Sequence, residues 1–253
     1  MRWYRGTLGR RVHDSPIRLD DALEALGEDG VMGRRLAEVP LASVVGTLGR
    51  SCDFDRDFRL VNSGLQDRWR RLANAVQAGF QPPPVQLIQL GDLYFVVDGH
   101  HRVSVAKTMG RATIVARVLR ICTVAYAMCC LRMAHLPSKA AERRFLERVP
   151  LPIEMRSELW LDEPADWMRL ADAAEAWALR RSLDGQELTD RHELAAAWWA
   201  EEVVPVLERA RTACAGLDLR DVQLYVSALA LRDGLGCENW PADLTDQMSC
   251  RMT

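Results

Sequence analysis

The chain has 253 residues, 49% of them apolar, with 33 basic side chains against 35 acidic ones and a formal net charge of −2. This composition excludes a disordered chain, and a length close to the roughly 250 residues at which single cores stop growing predicts two parts rather than one. The balanced charge excludes a global attraction for nucleic acid or an acidic membrane, so any such binding must rest on a local patch.

Only Lys107 and Lys139 are lysines, and the other 31 basic residues are arginines, a bias that reads as genome composition rather than a site. Seven cysteines (Cys52, Cys122, Cys129, Cys130, Cys214, Cys237 and Cys250) stand at irregular spacing in a chain too large to need staples, which predicts reduced thiols and a cytoplasmic protein. The opening Met1-Arg2-Trp3-Tyr4-Arg5 has no signal-peptide run, and the apolar run from Ile121 to Leu131, eleven residues long, is too short to cross a bilayer, so no membrane partner is expected. Charge divides unevenly along the chain. Residues 1–38 are net 0, residues 39–122 carry 6 acids and 11 bases (+5), and residues 123–253 carry 22 acids and 15 bases (−7). This predicts an N-terminal extension (1–38), a basic domain (39–122) and an acidic one (123–253). Gly-Thr-Leu-Gly-Arg occurs at 6–10 and again at 46–50, but the flanks do not match and no repeat array is expected.

In chain order, Gln66 to Ala78 places Trp69, Leu72, Ala73 and Val76 at helical spacing. After Pro82-Pro83-Pro84, Val85 to Leu90 alternates as a strand, Gly91-Asp92 is a hairpin turn, and Leu93 to Val97 is a second strand. Arg102 to Met109 is a short helix with Gly110 at its C-terminal end, and Ala112 to Leu119 is a third, β-branched strand. From Ser138 onward the pattern is helical throughout. Asp190 with Glu193 starts a helix that Pro205 kinks or divides, a further helix runs from Leu219 to Arg232, and the tail with Asn239, Pro241 and Ser249 is expected to be loosely held.

The chemistry concentrates in Asp98-Gly99-His100-His101-Arg102-Val103-Ser104, a polar turn between an apolar strand and a helix start. Exposed backbone amides and the positive end of a helix dipole hold phosphate there, Gly99 permits close approach, Arg102 is a forked donor, and the histidines donate or move a proton. The alternative is that Asp98 and the histidines only cap the helix.

The run Tyr94 to Lys107, preceded by a Pro-Pro-Val strand and followed by Gly110 and another strand, resembles the second box of the ParB/sulfiredoxin superfamily, with its Gly-x-x-Arg turn between strand and helix. The resemblance covers residues 39–122, with Val39 to Phe58 where that family has its first box and Gln66 to Ala78 as the intervening helix. It implies contact between Gly99-His100-His101-Arg102 and nucleotide phosphates: CTP in ParB proteins, ADP in the free serine kinase, ATP in sulfiredoxin. Sulfiredoxin has its reactive cysteine at the second position of the turn, where this chain has His100, so sulfinic acid reduction is not implied. The His-His turn is closer to the serine kinase relatives than to the Arg-rich turns of ParB proteins. The C-terminal half, on Trp198-Trp199, Val203 to Val206 and Asp221 to Tyr225, resembles a helical domain of unassigned function found fused to ParB-like domains in bacteria.

In the first box Asp53, Asp55 and Asp57 stand beside Arg50 and Arg56. Such carboxylates hold Mg²⁺ against a triphosphate or take a proton from a hydroxyl, and the plain alternative is a solvated, arginine-neutralised loop. Cys129-Cys130 with Cys122 and His135 has no C-x-x-C spacing and reads as core packing rather than zinc. Trp160, Trp167, Trp177 and the Trp198-Trp199 pair read as core rather than a base-stacking platform, and His192 as an exposed helix residue.

The fold expected is α+β, a small mixed sheet with helices followed by a mostly helical domain. The function expected is binding of a nucleotide (CTP, ATP or ADP, with Mg²⁺) through Arg50, Gly99, His100, His101, Arg102 and Ser104. Hydrolysis or phosphate transfer would use Asp53, Asp55 and His101, with Asp53 and Asp55 as metal ligands. A nucleotide-switched DNA-binding regulator, a nuclease and a non-catalytic interaction module are the alternatives. Charge does not favour DNA, and the helical domain suits a homodimer or a protein partner.

Overall fold

The computed structural model describes residues 15–186, 188–213, 219–237 and 239–252. The first copy of Gly-Thr-Leu-Gly-Arg, at 6–10, and Cys214 lie outside them. Two compact units divide the chain at Leu136/Pro137.

The first unit is built on one six-stranded mixed sheet. Its elements in chain order are β1 (Ile17–Arg18), α1 (Leu19–Leu26), β2 (Glu28–Pro40), β3 (Val44–Thr47), α2 (Gln66–Gln77), β4 (Val85–Leu90), β5 (Leu93–Asp98), α3 (His100–Thr108) and β6 (Thr113–Thr123). The strands lie in the order β1-β3-β5-β4-β6-β2. The hairpin is the local seed: Leu90 pairs with Leu93 across Gly91-Asp92, and Gly91 takes φ 52, which glycine adopts at no steric cost. Alternation then puts apolar side chains on both faces of the sheet. Leu87, Val96, Val103 and Val118 cluster on one side and Leu90, Leu93, Phe95 and Ile121 on the other. Helix α3 contributes Val103 and Ala106 to the first cluster, α1 contributes Leu19, Ala22 and Leu26 to the second, and α2 packs on α3 through Ala73, Val76 and Val105.

Two expected boundaries are corrected. The division at 38/39 falls inside β2, which pairs antiparallel with β6 from Glu28↔Thr123 to Pro40↔Thr113, so residues 17–18 and 28–38 of the supposed extension belong to the sheet. The division at 122/123 falls inside β6, and the unit continues to Leu136. Beyond β6, the main chain is tied back by Val124 N–H to Gly27 O, Ala125 N–H to Leu26 O and Asp92 N–H to Ala127 O. The alanines therefore go inward, while Cys129 and Cys130 stand exposed in a turn rather than packed in a core.

The second unit is helical, with α4 (Leu136–Arg148), α5 (Ile153–Arg156), α6 (Pro164–Leu183), α7 (Arg191–Trp198), α8 (Val204–Ala213), α9 (Asp221–Gly234) and α10 (Leu244–Met252). Asp190 caps α7 by accepting the His192 and Glu193 N–H groups. A π-turn, Trp199–Val203, separates α7 from α8 just ahead of Pro205, and Val204 N–H bonds to Trp199 O. Trp167, Trp198 and Tyr225 are fully buried, with Tyr225 ring-to-ring between Trp198 and Trp240. The expected loose tail is instead a helix, because Leu244 and Met248, four residues apart, are both buried, and Trp240 Nε1 donates to Glu202.

Candidate functional site

Gly99 ends β5 and opens α3 with φ 98, a left-handed conformation that favours glycine. A Cβ there would lie 2.6 Å from Val85 Cγ1 and 3.0 Å from Arg102 Cζ, so the position is closed to side chains. Glycine has no capping side chain, and the first turn of α3 therefore presents its N–H groups and dipole end without a side-chain cap. A cavity of about 230 Å³ opens onto this turn, lined by Asp98 to Arg102 together with Arg50, Arg68, Leu72, Phe80, Pro82 and Pro83.

The two histidines differ. His100 Nε2 lies 2.6 Å from Thr47 Oγ1, which also accepts the Gly49 and Arg50 N–H groups. With both Thr47 lone pairs occupied, the hydroxyl proton is left to donate, and His100 Nε2 is nearer than Val96 O at 3.5 Å. Burial, reinforced by Arg50, pulls the His100 pKa from 6.5 down to about 4, so the ring is neutral at pH 7. His101 is only 8% exposed, yet both of its ring nitrogens are buried and have no hydrogen-bond partner. Its pKa is also lowered, by burial first and then by Arg68 and Arg50. Phe54 fixes both rings, stacked on His100 at 5.9 Å and edge-on to His101 at 5.6 Å.

Several expected ligand groups are employed elsewhere. Arg102, expected on phosphate, donates to Pro83 O (2.7 Å), Pro84 O (3.0 Å) and Asp98 Oδ2 (2.6 Å), stitching the proline segment to the helix start. Ser104 is fully buried and its Oγ accepts the Trp69 indole N–H, so it locks α2 to α3 rather than reaching a ligand. Asp55 Oδ1 accepts the Asp57 and Arg59 N–H groups, closing the loop that holds Phe58 at φ 60 with its ring buried beneath Lys107. Strain of about 1–3 kcal/mol at such a residue is offset by about 1.5–3 kcal/mol from burying the ring. Asp53 spans Asn62 Nδ2 (2.8 Å) and Arg50 (3.4 Å) and does not line the cavity. Arg56 is exposed and is also outside it.

Among the described residues no group of three or more His, Cys, Asp or Glu side chains is placed to hold a metal. Asp53 and Asp55, expected on Mg²⁺, are held in their own loop, Asp55 through Oδ1 on the Asp57 and Arg59 N–H groups and Asp53 between Asn62 and Arg50.

Two lining residues were not singled out from the sequence. Arg68 sits on α2 beside Trp69, whose bond to Ser104 sets the rotation of that helix. Phe80, 53% exposed, stands at the rim after α2. Neither is marked by a motif; the signal available was a basic-aromatic helix just upstream of the proline run.

No family model matches the chain, and no curated protein matches it. Among solved structures, the crystal structure of sulfiredoxin from Arabidopsis thaliana is similar at 19% identity, covering 35% of this chain and 88% of that chain, with a TM-score of 0.28. The site is therefore read from its own atoms.

Proposed function

We propose that the sheet unit binds a nucleoside di- or triphosphate, with its phosphates at the start of α3. The observation that carries this reading is His101, a buried imidazole with two unpartnered nitrogens in a cavity it shares with Arg50, Arg68 and an uncapped helix N-terminus. A buried polar group without a partner costs about 1–3 kcal/mol, and a phosphate oxygen, once the ring turns toward it, would supply a partner for the N–H of the neutral imidazole and leave the other nitrogen as an acceptor. Anions are favoured by the two arginines and the helix dipole together.

Size and the rim favour a nucleotide over free phosphate. Complete ligand sites run to roughly 300–1,000 Å³. The 230 Å³ here encloses a phosphate chain and leaves the base at the open mouth, where Phe80 offers a ring face. Mg²⁺ would arrive on the phosphates, as it commonly does, rather than in a protein cage. Of the three residues expected to catalyse, His101 alone lines the cavity. As a neutral imidazole it suits taking a proton from water or a hydroxyl attacking the bound phosphate.

Titration of the purified chain with CTP, ATP and ADP, with and without Mg²⁺, tests the reading. Binding is expected to weaken about ten- to a hundredfold for Arg68→Ala, the worth of a charge-assisted hydrogen bond, and by at least about fivefold for Phe80→Ala. Absence of binding by all three nucleotides overturns it.

A further inference from the structure

Strand β2 is the last strand of the sheet: its inner edge pairs with β6, and among the described residues no strand pairs with its outer edge. It is 13 residues long, and from Glu28 to Leu36 every residue is exposed. Three large apolar side chains stand in water there, Val31 at 58%, Met32 at 51% and Leu36 at 66%. Long edges of this kind are templates for another strand unless they are blunted, usually by a bulge, a proline or a run of like charge. Bulges are present between Glu28 and Arg34, but the charges do not have the blunting arrangement. The order is Glu28-Asp29-Gly30-Val31-Met32-Gly33-Arg34-Arg35, with two acids, a glycine and an apolar residue, then an apolar residue, a glycine and two bases.

Read in reverse, this segment is its own electrostatic complement. We infer that β2 pairs antiparallel with β2 of a second copy, extending the sheet across a two-fold axis to make a homodimer. A two-fold axis normal to a sheet sets one residue opposite itself. The bulges place Glu28 and Arg34 at equal steps from Val31, opposite Thr123 and Leu119 on either side of Ile121, so the axis passes at Val31 and Glu28 faces Arg34 of the second copy. By symmetry this ion pair occurs twice, and the apolar residues meet at the centre. Parallel pairing would instead set acid beside acid and base beside base, which is destabilising for directly opposed residues. The same pattern rejects a generic edge strand of one charge sign, so a second copy is the occupant that the charges select. Because ion pairs at exposed positions contribute to the ladder, the association is expected to weaken with salt.

Sedimentation of the full chain across concentration and salt tests this, using an acid-reversed variant (Glu28→Arg, Asp29→Arg) and a base-reversed variant (Arg34→Glu, Arg35→Glu). All four positions are exposed, and circular dichroism checks that both variants fold. The wild-type chain is expected to double in mass as concentration rises and to dissociate as salt rises from about 0.1 to 0.5 M. Each variant alone is expected to stay monomeric, and an equimolar mixture of the two to recover the doubled mass, because each then meets its complement. A monomeric wild-type chain, variants that associate as the wild type does, or a mixture that stays monomeric would each overturn the inference.

Discussion

His100 shows how a single side chain ties the site to the stability of the sheet unit. Above pH 6.5 its ring is neutral in both folded and unfolded chains, and its contribution to stability is fully present. As pH falls from 6.5 toward about 4 the unfolded chain takes up a proton that the buried ring refuses, and stability is lost. The loss is on the order of 3 kcal/mol at the acid end of that window. His101, lowered in the same direction, adds to it. Urea midpoints measured between pH 7 and pH 4 should therefore fall less steeply for His100→Gln than for the unaltered chain, and parallel curves would contradict the assignment. The sequence marks both histidines but does not distinguish them. What separates them is Thr47, 53 residues away in sequence, which occupies His100 and leaves His101 open.

At the scale of elements, α4 carries a buried ion pair. Lys139 Nζ and Glu142 Oε2 are 2.6 Å apart, one turn along the helix, with both side chains almost wholly out of water and the Trp160 ring 5.1 Å from the ammonium. Charges in such a place are held by one another. Glu142→Ala is expected to cost about 3–5 kcal/mol by leaving the ammonium buried, whereas Lys139→Met with Glu142→Leu should stay close to the unaltered stability. Chemical denaturation of the two variants separates these outcomes.

The elements also show where local pattern suffices. The β4–β5 hairpin and α3 are legible because their turn, alternation and stop signals lie within a few residues of one another. Strand β2 is not legible, because Gly30, Gly33, Arg34 and Arg35 interrupt any alternation and only its distant partner β6 makes it a strand. The rotation of α2 that carries Arg68 to the cavity depends likewise on the Trp69–Ser104 contact, across 35 residues. Arg102 and Ser104 read as ligand groups because sequence shows donors and not their neighbours; Arg102 lines the cavity while bonded to the proline carbonyls, and Ser104 is buried against the Trp69 indole.

For the whole molecule, the boundary at Leu136/Pro137 sharpens the charge contrast found in the sequence. Residues 1–136 carry 19 bases and 13 acids (+6), and residues 137–253 carry 14 bases and 22 acids (−8). All six strands and the three apolar clusters of the sheet unit lie before the boundary. Residues 1–136 expressed alone should therefore fold cooperatively and keep the nucleotide affinity of the full chain, and residues 137–253 should fold as a separate helical fragment of opposite charge. Circular dichroism melts and nucleotide titration of the two fragments check this, and an unfolded 1–136 fragment would contradict it.

The π-turn at Trp199–Val203 has a consequence for which changes of length the second unit tolerates. Buried residues along α7 and α8 fall at Ala195, Trp198, Val203, Val206, Leu207 and Ala210, with a gap of five between Trp198 and Val203 where an α-helix would have three or four. Deleting Ala200 would reduce that gap to four and leave the apolar stripe in register on an unbroken α-helix. Pro205 stands in the way, because an α-helical path would set its ring against the carbonyl four residues earlier. The deletion alone should therefore destabilise the unit, Pro205→Ala alone should do little, and the two together should restore a stable fold in thermal melts. A deletion and a substitution would then be acceptable only as a pair, so the extra residue and the proline hold each other in place.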